Sequence, residues 1–431
     1  MALDDARTNG VVVQKYGGSS LATAEQVRSI ARRVAVLARS GRRVVLVVSA
    51  RGGTTDELIG QAQEFTPAPQ GRELDQLLAT GETASASLMA LALQHAGVPA
   101  TALAGPRTGI LATGPHGSGI IVAIDTEHTV ELLDAGHVVV IAGFQGVTAE
   151  GDVITLGRGG SDTTAVAVAA ELGAPACEIY SDVPGVLTAD PRVVPAARLL
   201  PSLDLDLMAE MAFAGARVMH SRAVELAALH GIGIHVGHSA TSRIGTHIHK
   251  RDGRDGDAMP ETRTAVTAVV HDRDVARVTL RTDRIGEPPA LAVFRLLARE
   301  AIPADMTAVS EHSGGGLSIE MTVHHTYTSA VRRSLSELAS PSGRGGVEVD
   351  EGVAKVSVVG KGLLSRPEYA ARMLSRLTGA GIRTGALSTS QTRISVTVPR
   401  GEEKQAVRLL HTEFGLDSPE GADPVPLASH P

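Results

Sequence analysis

The stretch VVVQKYGGSSLATAEQVRSIARRVAVLARSGRRVVLVVS, residues 11–49, decides the fold. Val11–Lys15 is an apolar strand that runs into Gly17-Gly18. Apolar residues then recur at helical spacing from about Ala24 to Arg39, Gly41 stops the helix, and Val44–Ser49 is a second strand. A strand, an amphipathic helix and a strand in this order build a mostly parallel sheet covered on both faces.

Outward from there the alternation continues to about residue 250. Gly52-Gly53-Thr54-Thr55 is a loop from which Asp56 opens a helix, and a further helix near Glu82–His95 ends at Gly97. Val138–Ala142 and Ala176–Ser181 are strands; the helix Ser161–Leu172 between them is entered through Gly157-Arg158-Gly159-Gly160. A last helix near Val218–His230 leads into Ile234–Val236. Residues 1–250 are therefore expected to form one α/β domain, and the polar, Gly/Asp-rich run at 251–265 a linker. Beyond it, Val275-Ala276-Arg277-Val278-Thr279 is echoed by Val353-Ala354-Lys355-Val356-Ser357. Each copy leads through a helix and an isoleucine-led strand (Ile302, Ile382) to an alternating strand, Leu317–Val323 or Thr392–Val398. Two α+β modules of βαββαβ type are expected, at 266–345 and 346–425, divided at Pro341–Gly346. The last dozen residues read as a frayed tail.

Composition narrows the function. The 431 residues include 40 basic and 47 acidic side chains, a formal net charge of −7, which disfavours nucleic acid or an anionic membrane as partner. With no Trp, four Tyr and five Phe, base-stacking platforms are equally disfavoured. Cys177 is the only cysteine, which excludes an intrachain disulfide and a cysteine-based metal cluster. The start, MALDDARTNG, carries acids and no apolar core, and runs such as Val44–Val48 are too short to span a bilayer, so the cytoplasm is the expected compartment.

Two glycine-rich segments carry the chemistry. Lys15 is the only lysine before Lys250, and an isolated lysine among arginines marks either chance or a place that wants a compact ammonium. In Lys15-Tyr16-Gly17-Gly18-Ser19-Ser20, the glycines let backbone N–H groups approach a phosphate at a helix start, within reach of the lysine. A plain Gly-Gly turn fits the segment as well, and it is no Walker A loop, whose lysine follows its glycines. In Gly157-Arg158-Gly159-Gly160-Ser161-Asp162-Thr163-Thr164, glycines, an arginine fork and hydroxyls converge on a helix start suited to an anion. Ser161 or Asp162 as a helix cap would account for neither Arg158 nor the glycines. Glu82, after Gly81, reads as an acid favoured by a helix dipole. Tyr180-Ser181-Asp182-Val183-Pro184-Gly185 follows a strand, where open sheets bind ligands, although Pro-Gly turns explain it equally.

Together and in this order, Lys15–Ser20, Val47–Leu58, Arg72–Glu82 (RELDQLLATGE), Ala142–Val147, Thr155–Ala170 and Cys177–Pro195 resemble the aspartate kinase branch of the amino-acid kinase family. The C-terminal repeat resembles that family's paired ferredoxin-like ACT modules, and the likeness covers nearly the whole chain. It implies an ATP- and Mg²⁺-dependent kinase that phosphorylates the side-chain carboxylate of L-aspartate to 4-phospho-L-aspartate, the first step of aspartate-family amino-acid synthesis. By resemblance Lys15, Gly17 and Gly18 hold the ATP phosphates and Asp162 organises the cations around them. Arg158 clamps a carboxylate of aspartate, Glu82 receives its amino group, and Ser49 and Thr55 add substrate contacts. Ser181, Asp182, Leu187, Arg192 and Arg217 surround the nucleotide. A homodimer through the ACT modules is expected.

The sequence also departs from the family pattern. Leu187 stands where a tyrosine is usual, Arg217 where a lysine is, and His220-Ser221 replaces His-Pro. Pro106-Arg107 departs from the common pattern of its loop. Asp283–Pro288, Ala304–Ser310 and Arg366-Pro367-Glu368 differ from the loops that grip an amino-acid effector, so feedback by lysine or threonine is expected to be weakened or absent. The other readings are a different amino-acid kinase, acting on glutamate or acetylglutamate, and a non-catalytic amino-acid-binding regulatory protein.

Overall fold

The computed structural model describes residues 10–241, 243–250, 265–282, 289–311, 317–336, 338 and 346–418. The expected linker from 251, the departures at 283–288, most of the divide at 341–346 and the tail lie outside the described residues.

The chain forms two compact units. One comprises the residues up to Val186, Leu199–Ala212 and the stretch from Arg217; the other comprises Leu187–Arg198, Phe213–Ala216 and the C-terminal part. In the first unit the elements run β1 (Val11–Tyr16), α1 (Ala24–Arg39), β2 (Arg43–Val48), α2 (Thr54–Gln63), α3 (Arg72–His95) and β3 (Ala100–Leu103). There follow β4 (Ile110–Thr113), β5 (Ile120–Ile124), α4 (Glu127–Asp134), β6 (Val138–Ala142), β7 (Gln145–Val147), β8 (Val153–Thr155), α5 (Gly160–Glu171) and β9 (Ala176–Ser181). The unit ends with β10 (Ser202–Asp204), α6 (Leu205–Ala214), α7 (Ser221–His230), β11 (Gly233–His238) and β12 (Arg243–His249).

Eight of these strands make one sheet in the order β10-β12-β11-β9-β1-β2-β6-β3, parallel from β11 to β3. Local bonds and packing fix these elements. Thr23 caps α1 in a reciprocal box, its backbone N–H donating to Gln26 Oε1 at 2.9 Å and its Oγ1 accepting from Gln26 N at 3.2 Å. Helix α5 is buried from Gly160 to Ala169, its polar first turns Ser161–Thr164 included. One expectation fails: the helix at Glu82 starts ten residues earlier, at Arg72. Gly81 looked like a helix boundary, but a Cβ there would lie 2.9 Å from Ala50 Cβ, so the glycine serves close packing inside the helix. A second small sheet, β5-β4-β7-β8, was not expected, because its strands are three to five residues long and show no clean alternation.

In the second unit the order is β13 (Val266–Asp272), β14 (Val275–Thr282), α8 (Pro289–Arg299), β15 (Ala304–Glu311), β16 (Leu317–His324), α9 (Thr328–Ser336) and β17 (Gly346–Asp350). Then come β18 (Val353–Gly360), α10 (Pro367–Gly379), β19 (Leu387–Thr389), β20 (Arg393–Pro399) and α11 (Glu403–Glu413). The two sheets are β15-β16-β14-β17 and β13-β18-β20-β19. The repeat is real, with β14 and β18 starting at the echoed Val275 and Val353, yet a divide at 345/346 does not separate the sheets. β17 pairs with β14 before it, and the second module takes its fourth strand from β13, ahead of the whole first module. Neither expected isoleucine leads its strand: β15 begins at Ala304, after Ile302, and β19 at Leu387, after Ile382. Nor does the first unit run unbroken to 250: Ala189, Val193 and Val194 are buried in the core of the second module.

Candidate active site

The carboxyl ends of β1, β2, β6 and β9 lie side by side. Tyr16 is in register with Val48 on one side and with Tyr180 on the other, and Val48 with Ala142. The rings of Tyr16 and Tyr180 stack at 5.1 Å beneath the loops that follow. Backbone bonds tie those loops together: Gly17 N–H donates to Tyr180 O (3.3 Å), Ser49 N–H to Tyr16 O (3.2 Å), Gly52 N–H to Gly18 O (2.9 Å) and Gly143 N–H to Val48 O (3.0 Å). Gly18 is required by this crowding, since a Cβ there would stand 2.5 Å from Ala50 O. The segment after Gly18 is a single 3-10 turn, Gly18–Leu21, and α1 starts only after Thr23. Of the two glycine-rich segments, the second thus leads directly into an α-helix, α5.

Lys15 and Asp162, 147 positions apart in sequence, meet here. The Lys15 Nζ lies 2.7 Å from Asp162 Oδ1, and both side chains are nearly buried, at 13% and 9% exposure. The backbone N–H of His220 donates to Asp162 Oδ2 at 3.3 Å. His220 packs on the glycine loop so tightly that a Cβ on Gly159, which has φ +66°, would overlap it. Burial holds the His220 imidazole below its ordinary pKa, against the pull of Asp162. Arg158 is exposed on the loop before α5.

Glu82 sits mid-helix, not at a helix start, so the dipole explanation does not apply. Its Oε1 accepts the Ala50 N–H at 3.0 Å, while Oε2 is buried with no hydrogen-bond partner among the described residues. Burial pushes its carboxyl up to about 7, against the Ala50 bond. Ala50 therefore touches Glu82 through its N–H and faces Gly18 through its carbonyl, so Glu82 belongs to the same group of strand ends. Ser49 and Thr55 lie half-buried on the loop after β2 and in the first turn of α2. Ser181 ends β9, its Oγ accepting the Val183 N–H at 3.3 Å, and Asp182 is exposed beside it. Arg217 is exposed before α7. Leu187 and Arg192 both fall in Leu187–Arg198, which is part of the second unit, and Arg192 forks onto Asp190 at 2.8 and 3.0 Å.

One residue the sequence reading passed over organises the surroundings. Asp75, in the RELD segment and 1% exposed, accepts from Thr155 Oγ1 (2.7 Å), Thr155 N (3.0 Å) and Gly117 N (3.0 Å), and its Oδ2 lies 2.9 Å from His116 Nδ1. It fixes the end of β8, from which the Gly157–Gly160 loop departs. Sequence offers no local sign of this, because every partner comes from more than forty positions away.

The assembled groups are a pinned ammonium, glycine amides, a helix N-terminus and a buried carboxylate with an unsatisfied oxygen. They suit a ligand carrying phosphate at one end and an ammonium at the other. The amino acid kinase family matches residues 10–238 and an ACT domain matches residues 356–414. The aspartokinase of Mycolicibacterium smegmatis is 42% identical over 419 residues, 96% of this chain and 98% of that relative. The aspartokinase of Thermus thermophilus is 41% identical over 413 residues, 94% and 99% of the two chains. Among solved structures, E. coli aspartokinase III in complex with aspartate and ADP (R-state) matches with a TM-score of 0.80 at 25% identity, over 94% of this chain and 99% of that one. The same enzyme with lysine and aspartate (T-state) gives 0.64 at 26% identity, with the same coverage. This chain belongs to the amino acid kinase family, and within it to the aspartokinases.

Proposed function

We infer that this aspartate kinase moves the terminal phosphoryl group of ATP onto the side-chain carboxylate of L-aspartate, and that the strand ends around Lys15 carry the transfer. The observation that supports this most is the Lys15–Asp162 pair, which joins the two glycine-lined segments. An acceptor carboxylate is already ionised at neutral pH, so no general base is needed. The work is to bring two anions together and to neutralise the transferring group. Lys15 and the amide of Gly18 supply charge and a donor for the phosphates, with Gly17, its own N–H held by Tyr180 O, allowing their close approach, while Asp162 keeps the ammonium from wandering. Arg158 offers a planar fork to a carboxylate of the acceptor, and the free Glu82 oxygen accepts its ammonium. Ser49 and Thr55 are further contacts to the acceptor; Ser181, Asp182 and Arg217 stand beside the nucleotide. Among the described residues no three His, Cys, Asp or Glu side chains form a metal cage, so Mg²⁺ fits as the companion of the nucleotide phosphates, adding to charge neutralisation.

The ACT modules are read as the dimer interface, since each ends in open edge strands, β15 and β17 or β13 and β19. Lysine or threonine is expected to act on them weakly or not at all.

Trapping the acyl phosphate with hydroxylamine tests the reaction. With ATP and Mg²⁺, hydroxamate should form from L-aspartate. Formation from glutamate or acetylglutamate instead would point to another amino-acid kinase, and none from any of the three to a non-catalytic amino-acid-binding protein.

A further inference from the structure

We propose that Arg222 is a positioning residue for the phosphoryl transfer, stapling the backbone that enters the Gly157–Gly160 loop so that Arg158 is held in place. The inference rests on the role given above to Arg158. Arg222 lies in the first turn of α7, and its guanidinium donates from Nη1 to Leu156 O at 3.0 Å and from Nη2 to Gly119 O at 2.8 Å. Leu156 is the last residue before the loop. Its own N–H donates to Phe144 O at 2.8 Å, and Gly119 N–H donates to Thr155 O at 2.8 Å. The arginine fork therefore closes the end of a short backbone pairing, where the turn at Gly157, with φ +75°, prevents it from continuing.

The downstream side of the loop is held by the same helix start. His220 caps α7 by accepting the Arg222 N–H at 3.4 Å, and its own N–H reaches Asp162 Oδ2 at 3.3 Å. Arg222 thus grips the residue before the loop, and His220 grips the first turn after it. The loop is glycine-rich, so its own conformational freedom is large, and without both grips Arg158 would sample many directions. A lysine in place of Arg222 would hold the two carbonyls less well, because a point ammonium lacks the planar fork that bonds both at once.

The test is a double-substitution cycle on the purified full chain, with thermal midpoints recorded alongside kinetics. Arg222→Met should lower kcat/KM for aspartate by about 10²-fold, chiefly by raising KM for aspartate, with KM for ATP changed less than about twofold. Arg222→Lys should recover part of the loss, and serves as the comparison if the methionine variant does not fold. Because Arg222 acts through Arg158, adding its substitution to Arg158→Ala should cost less than about threefold more. An undiminished effect in the Arg158→Ala background, or no effect of either Arg222 variant, would overturn the proposal. If Arg158→Ala is itself silent, the role of Arg158 in the site is what fails.

Discussion

The Lys15 ammonium rests 2.7 Å from the Asp162 carboxylate and so ties the end of β1 to the first turn of α5. The pair is nearly neutral as a unit, and its geometry leaves the ammonium with further N–H donors for a phosphate. Two charges this far from solvent depend on each other, because removing one leaves the other buried and uncompensated.

Glu82 gives the site a pH signature. Its carboxyl titrates near 7 in the folded chain and near 4.5 when unfolded, so raising pH between those values ionises the unfolded state first and lowers stability. Urea unfolding of the wild type should lose about 3 kcal/mol across that window, and Glu82→Gln should not. In kinetics the sign reverses: below about pH 7 the protonated acid no longer holds the acceptor's ammonium, and KM for aspartate should climb by up to about tenfold per pH unit. A flat wild-type KM profile from pH 5.5 to 8 would rule Glu82 out as the ammonium's partner.

Glycines at the loops are not equivalent. Gly18→Ala forces a methyl against Ala50 O, 2.5 Å away, and should cost about 10²-fold in kcat/KM for ATP. Gly60→Ala, inside α2 with nothing within 4 Å, should leave the kinetics alone and raise stability by about 1 kcal/mol. Steady-state kinetics and thermal unfolding of the two variants make the comparison.

The second unit has an ion cluster of its own. Asp305 on β15 accepts from Arg393 Nη1 and Nη2 on β20 (2.8 and 2.9 Å) and from Lys355 Nζ on β18 (3.0 Å), joining the two sheets. Burial alone would raise the Asp305 carboxyl, but the Arg393 bonds and the Lys355 charge hold it well below the usual carboxylate range. Its contribution is therefore present above the unfolded value near 3.8 and is lost as pH falls below it. Asp305→Asn removes the carboxylate that the two buried cations share and should destabilise the unit by about 3 kcal/mol, read by circular dichroism in urea.

Because both Asp305 oxygens are occupied within the chain, an effector's ammonium finds no open carboxylate there. Lysine and threonine in the millimolar range should leave aspartate kinase activity essentially unchanged, separately and together. Strong inhibition by either would show that an effector competes with Lys355 and Arg393.

Much of this was legible in the sequence because it depends on local rules. The span of α1 follows from its capping box and the Gly41 stop, and β6 and β9 from apolar runs bounded by polar turns. Lys15, Gly18 and Asp162 stood out by residue type and place. What escaped depends on tertiary contact. The start of α3 was hidden because Gly81, a helix weakener, is tolerated where Ala50 packs against it. Asp75 and Arg222 bond to groups distant in the chain. The exchange of β13 and β17 between the modules cannot be read from two echoing segments, since either copy could have supplied its own last strand.

The most direct test is a single-turnover measurement on Lys15→Ala, with ATP and aspartate saturating and acyl phosphate trapped as hydroxamate. The chemical step should slow by about 10²–10³, some 3–4 kcal/mol of lost transition-state stabilisation, with aspartate binding little altered. A near-normal rate would contradict this, and would mean that the ammonium at the end of β1 serves only to neutralise Asp162.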